Sequence, residues 1–466
     1  NLIGPLFGIY RPLSAVPLLV AINIAIFVLF ITTFIRYPLG YKSPIDLKDS
    51  LAFLRSPQVL FLSLILLFGI IGGLAVQYYI CSLFSVVAIF LIAIVAGLIA
   101  FNRFFDEKHY SIALFVIGLT LLFIRALTSP YLGGSDIHVE LFYQQLTEIN
   151  AYWDPNTYPG TCNTMLSTVI LPTVYSAILG IDVIVVYKAL FPVLFALVPV
   201  AIYHFFKGSL RPDFSFFSVF LFMSFYAFFI TSLWLPRQQI AELYLALLLL
   251  TLFEKEIRSP IRELLVISWI SSIVVSHYAM TYITLFFMIL VTIMLFIFRE
   301  KSTSIKLLTV IFAVVMTISW YTYISLSRTF EAVIHIGRKV LLAVSDELFS
   351  PHAIDPLVSE GLGGGLLDQP FWHALGHIWQ YGTQMLLVIG FAYVLLRYMM
   401  KRSQPELTFF STVGMLLLFM SITLPYFASS LNMDRIYHIV LIFISPLCVI
   451  GLLYLIDRIG SVTKVL

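Results

Sequence analysis

Long apolar runs separated by short polar connections dominate the chain, and their length predicts membrane spans. A hydrocarbon core about 30 Å thick takes roughly 20 residues of helix, with about 17 to 25 as the working range. Runs of that kind lie near 13–35, 59–78, 80–101, 110–128, 183–206, 214–233, 239–253, 263–278, 280–298, 305–325, 382–400, 406–427 and 437–457. The predicted fold is therefore all-α, a polytopic transmembrane helix bundle of about thirteen spans. Tyr78, Trp234 and Trp320 stand near span ends, where amphipathic rings anchor at the lipid–water boundary.

Basic residues follow every second span, which orients the bundle, because Lys and Arg concentrate in short cytoplasmic loops. Arg36, Lys42, Lys48 and Arg55 follow the first run, Arg103 and Lys108 the third, and Lys207 and Arg211 the fifth. Lys255, Arg258 and Arg262, then Arg299, Lys301 and Lys306, then Arg397, Lys401 and Arg402, and finally Arg458 and Lys464 continue the alternation. The expected protein is integral to the cell membrane and multi-pass, with its N-terminus outside and its C-terminus inside. The numbering opens on Asn1, with no signal-peptide n-region or cleavage site in view, so a removed segment or further span can precede it without altering these loops.

Two connections on the non-cytoplasmic side are long, residues 129–182 and 325–381. The first carries Asp136, His138, Glu140, Glu148 and Asp154, and has no Lys or Arg as far as Asn163. Its apolar stretch 164–180, broken by Pro172, has both ends fixed on one side and predicts an interfacial helix. The second predicts an amphipathic helix around Phe330 to Leu348, then a mobile loop with Gly361, Gly363, Gly364 and Gly365.

Composition narrows the function. A hydrophobic fraction of 61% and a mean hydropathy of +1.00 exclude a soluble domain, and a net charge of +3 with no basic tract argues against nucleic acid as a partner. Cys81, Cys162 and Cys448 are too scattered for a disulfide framework or a zinc site. No phosphate-binding loop, dinucleotide fingerprint or nucleophile elbow is present.

The polar residues that remain fall at the outer ends of the spans, and together they predict a polar chamber there. In Gly133-Gly134-Ser135-Asp136-Ile137-His138-Val139-Glu140 the glycines permit a tight turn and Asp136 opens a helix that puts Glu140 one turn on. A carboxylate there can take a proton from a hydroxyl, or join His138 and Glu140 as metal ligands; Ser135 or Asp136 can equally be a plain helix cap. Arg435 and His438 share a helix face suited to a phosphate, with Tyr437 beside them and Arg237 as a further cation, while Arg435 can instead pair with Asp434 or snorkel. Gln238, Glu242, His277 and Tyr278 complete the chamber; an Arg237–Glu242 ion pair and a hydrogen-bonded helix-end His277 are the structural alternatives.

In the order Gly134-Ser135-Asp136-Ile137-His138-Val139-Glu140, Tyr152-Trp153-Asp154-Pro155 and Leu171-Pro172-Thr173-Val174-Tyr175-Ser176, up to the span ending Tyr203-His204, the chain resembles the GT-C class of integral-membrane glycosyltransferases. More closely it looks like an uncharacterised, largely archaeal family of predicted membrane proteins. The resemblance covers roughly 110–460. It implies a catalytic module over 110–466, with residues 1–109 as additional N-terminal transmembrane helices. It also implies transfer of a sugar from a polyprenyl-phosphate (such as dolichyl phosphate) donor to a glycan, lipid or protein hydroxyl at the extracytoplasmic face. By the same resemblance Asp136 is the base or a ligand of a divalent cation (Mg or Mn), and Arg435 and His438 lie where the donor phosphate is held; His138 as a second metal ligand, and Tyr437 and Arg237 as further phosphate-binding residues, are the candidates read from the residues themselves. Asp-x-His replaces the Asp-x-Asp or Asp-Glu of several class members. The rival expectation, a transporter or lipid flippase, draws on Arg125 and Lys188 within spans.

Overall fold

Hydrocarbon offers no hydrogen-bond partners, so an apolar chain crosses it by satisfying its backbone internally, and the long apolar runs form helices. The computed structural model describes residues 4, 8–36, 47–254, 256, 257, 259–300, 305–347, 350, 355–361, 371–401 and 405–459. Among them every regular element is a helix. Among the described residues ten helices are long and apolar enough to cross a membrane, and eleven when the pair Pro212–Ser224 and Tyr226–Trp234, bent by 68° at its break, is taken as one span.

Two of the thirteen expected spans fall outside that set. Helix Pro236–Phe253 begins with Arg237, Gln238 and Gln239, which dilute its apolar run, and helix Ile261–Ser276 has only 16 residues. At 1.5 Å per residue that is about 24 Å, short of the hydrocarbon thickness. The expected span 214–233 is broken at Phe225, whose backbone is extended.

The chain divides into two compact units, Asn1–Ala196 with Leu233–Ile240, and Leu197–Ser232 with Ala241–Leu466. In the first unit α1 (Ala15–Arg36) and the short α2 (Leu47–Leu54) precede α3 (Pro57–Gln77), α4 (Leu83–Ala100) and α5 (Tyr110–Ala126). Glycines on α3 let the three pack closely: Gly72 abuts the backbone of Ser85 on α4, while Gly69 meets Thr120 and Gly73 meets Phe123 on α5. Small residues at such crossings supply contact area that lipid cannot displace. After α5 come α6 (Asp136–Asn150) and α7 (Leu166–Leu179), packed on each other. With 14 residues and Pro172 inside, α7 is the short apolar helix expected between 164 and 180.

Then follow α8 (Val183–Lys207), α9 (Pro212–Ser224), α10 (Tyr226–Trp234), α11 (Pro236–Phe253), α12 (Ile261–Ser276), α13 (Tyr278–Ile297) and α14 (Leu307–Ile324). The amphipathic helix expected near 330–348 is α15 (Arg328–Glu347), and α16 (Pro356–Gly361) is brief. The glycines at 363–365 lie outside the described residues. The chain ends with α17 (Phe371–Met399), α18 (Pro405–Thr423) and α19 (Met433–Ile459). In the second unit α17 and α19 touch through Gly390 and Gly451, where either added Cβ would strike the other helix's backbone. Beside them Phe443 stacks on Phe287 at 4.0 Å and on Phe410 at 5.5 Å.

Candidate functional site

The turn before α6 is held by one contact that only glycine allows. Gly134 has φ of +98°, and a Cβ there would run into the Trp234 side chain. Ser135 makes no side-chain cap bond, so the loop enters α6 with the Asp136 carboxylate in its first turn, where the helix dipole favours negative charge. Four residues on, Glu140 lies on the same face and is fully buried.

Arg237, in the first turn of α11 and within the same unit, joins the two. Its Nη2 donates to Asp136 Oδ2 at 2.8 Å and its Nη1 to Glu140 Oε1 at 2.5 Å. The planar fork of a guanidinium suits two acceptors set side by side. One cation thus serves two carboxylates in unlike surroundings: the side chain of Asp136 is 32% exposed, that of Glu140 0% and that of Arg237 6%. Burial is the largest influence on Glu140 and pushes its carboxyl up to about 7; Arg237 pulls it down and the Asp136 charge pushes it up. Its second oxygen, Oε2, is buried without a hydrogen-bond partner, as suits a group that carries a proton near neutrality. Cys162 completes the cluster, with Arg237 Nη1 3.5 Å from its sulfur and its thiol pushed up by burial.

The helix continues the polar face. Gln144 Nε2 donates to Glu148 Oε2 at 2.9 Å and to Thr173 Oγ1 at 3.2 Å, and Ser176 Oγ donates to Glu148 Oε1 at 3.2 Å. Sequence reasoning missed Cys162 and this stripe. The spacing of Glu140, Gln144 and Glu148, four and eight residues apart, was the available signal. The Tyr152-Trp153-Asp154-Pro155 motif builds the next turn. Trp153 Nε1 donates to Asn163 O at 2.8 Å, and Asn163 Nδ2 donates to the Asp154 and Tyr158 carbonyls at 3.1 and 2.9 Å. The Thr157 hydroxyl and the Asn156 amide donate to the Asp154 carboxylate and hold it below its ordinary range.

His138 is exposed two residues beyond Asp136, about 200° around the helix. Asp136 Oδ2 is turned to Arg237. Among the described residues no group of three or more His, Cys, Asp and Glu is placed to hold a metal ion.

The second unit holds most of the other candidates. His438 Nε2 lies 3.1 Å from Glu242 Oε2, both side chains being buried, and the imidazole is ringed by Phe222, Phe225 and Phe228. Thr231 Oγ1 donates to Asp434 Oδ2 at 3.0 Å. Arg435 and Tyr437 are half-buried, Tyr437 with its ring 4.9 Å from Phe225. His277 is buried at the extended link between α12 and α13, where its carbonyl accepts from the Thr281 hydroxyl at 2.9 Å, and half-buried Tyr278 stands against its ring. Gln238 and Gln239 are buried on the first turn of α11. Arg237 is thus engaged by Asp136 and Glu140, and Glu242 by His438.

Residues 262–466 match the model of a family described as a predicted membrane protein (DUF2206). The match includes His277, Tyr278, Arg435, Tyr437 and His438, and leaves the Asp136–Glu140–Arg237 cluster outside it. No curated protein and no solved structure matches the chain.

Proposed function

We propose that the protein is a membrane glycosyltransferase that moves a sugar from a polyprenyl-phosphate donor to a hydroxyl acceptor on the non-cytoplasmic face. The observation that carries this reading is the Arg237 fork. It holds the partly exposed Asp136 carboxylate at the start of α6, directly after a membrane span, while the buried Glu140 on its other tine accepts a proton near neutrality. Two carboxyls in unlike surroundings around one cation are the ordinary means of giving each a distinct role in proton transfer.

In this reading the acceptor hydroxyl gives its proton to Asp136 as its oxygen bonds to the anomeric carbon. The bond from that carbon to the donor phosphate oxygen breaks, and the phosphate leaves with the electron pair. Arg237 is a positioning residue that aims Asp136, and Glu140, by taking up or losing its proton, sets how strongly Arg237 is drawn away from Asp136. The loop charges support an outer position for this cluster, because on the positive-inside pattern α5 runs outward from the basic turn at Arg103 and Lys108. The resemblance in the first outer loop supplies the substrate class. The transporter reading loses ground: Lys188, near the start of α8, donates to the Ser129 carbonyl, and Arg125 is in the last turn of α5, so neither marks a midplane site.

The test is transfer of labelled sugar from polyprenyl-phospho-sugars by membranes containing the wild type or Asp136→Asn. The reading expects transfer by the wild type and a loss of roughly a hundredfold or more in the variant. Equal transfer by both, or none by the wild type with any lipid donor, sinks it.

A further inference from the structure

Within the second unit a cavity of about 570 Å³ opens among α16, α17, α18, α19 and the break between α9 and α10. Its walls change character along one direction. On α17 a single face presents His377, Gln380 and Gln384, then Leu387 and Val388, so polarity gives way to hydrocarbon over about 16 Å of helix. The α18 wall, from Met415 to Ile422, is apolar throughout, whereas α19 contributes Asp434 and Tyr437, one turn apart, at its first turns. The space has the shape and gradient of an amphiphile, with an apolar tail along the spans and a head at their ends.

The polar end carries carboxylates. Among the described lining residues these are Asp434 and Glu360, with His377 beside them and no Lys or Arg. The sequence between Lys339 and Arg397 contains neither, but does contain Asp346, Glu347, Asp355, Glu360 and Asp368. Asp434, Asp355 and Glu360 all act electrostatically on the Tyr226 hydroxyl. Thr231 fixes the Asp434 carboxylate by donating to its Oδ2. Next to it stand three aromatic rings: Phe225 lies 4.7 Å from Tyr226 and 4.9 Å from Tyr437 between centroids. A carboxylate with aromatic faces around it recognises an alkylammonium, through ion pairing and cation–π attraction, and repels a phosphate.

We propose that this cavity binds a single-chain amphiphile with an ammonium head, seated against Asp434, Phe225, Tyr226 and Tyr437 with its tail along α17 and α18. The assignment does not rest on the glycosyl-transfer reading, and it gives the second unit a ligand of opposite charge to a lipid phosphate.

The experiment uses the full chain in phosphatidylglycerol nanodiscs with a photoreactive dodecyltrimethylammonium probe, followed by mapping of the labelled peptides. Labelling should fall on α17, α18 and α19, be competed by dodecyltrimethylammonium, and survive dodecyl phosphate and dodecyl maltoside. Asp434→Asn should weaken it by roughly tenfold or more. Leu418→Trp, which fills the apolar end, should abolish it while thermal unfolding shows a folded protein. Equal competition by dodecyl phosphate or the neutral maltoside, unchanged labelling in both variants, or label spread over helices outside the cavity would each overturn the proposal.

Discussion

Replacing Arg237 by Met isolates the most consequential contact in the first unit, because the thioether fills much of the same space and carries no charge. The cost depends on what Glu140 does when its cation is gone. Above about pH 8 the wild-type carboxyl is ionised and paired, whereas the variant must either keep an unpaired charge in a fully buried position or hold a proton against the solvent. Removing one partner of a buried ion pair costs about 3–5 kcal/mol, and uptake of a proton keeps the loss toward the lower figure. At pH 6 both proteins carry a protonated Glu140, and what is lost is the hydrogen bonding from Arg237 and a partly exposed pair with Asp136, about 1–3 kcal/mol together. Unfolding in mixed micelles, followed by tryptophan fluorescence at pH 6 and pH 8.5, should therefore show a variant penalty that grows with pH. A penalty that is constant across that range, or below about 1 kcal/mol at both ends, refutes the shared-cation arrangement.

The folded carboxyl of Glu140 titrates at about 7 against 4.5 for the ordinary group, so the stability it confers is complete below 4.5 and is lost as pH rises through 7; Glu140→Gln should flatten that decline, worth about 3 kcal/mol at most, in the same unfolding assay. Gly134→Ala forces a side chain into a positive-φ turn already filled by Trp234, and should lower stability by about 1–3 kcal/mol in thermal unfolding. Gly390→Val should separate α17 from α19 and sharply reduce the yield of folded protein, measured by size exclusion in detergent. Cys162, half-buried and with its thiol pushed up, should react with maleimide more slowly in the folded chain than after denaturation, as followed by mass spectrometry.

Hydropathy revealed most of the spans because the bilayer sets a length that few other environments demand. It does not register that α11 has a polar first turn or that α12 is short, since a window sees apolar residues and not the helix ends. The break at Phe225 left no Gly or Pro to betray it. Of the candidate site, Asp136 and Glu140 were legible from their spacing of four. Their partner was not, because Arg237 reaches them across about a hundred residues of chain, and the pattern around it pointed equally well to Glu242 five positions on. Nor does composition show that Gly390 and Gly451 face each other: glycines marking a crossing look like any others until the helices are paired.

The Asp136–Arg237–Glu140 cluster turns on a single proton, the one held by Glu140. Infrared difference spectroscopy of the protein in nanodiscs, titrated from pH 5 to pH 9, reads protonated buried carboxyls directly through their carbonyl stretch. The structure predicts a band that disappears with a midpoint near 7 and is absent in Glu140→Gln. A band that persists unchanged in that variant, or no carboxyl titrating between pH 6 and pH 8, would contradict it.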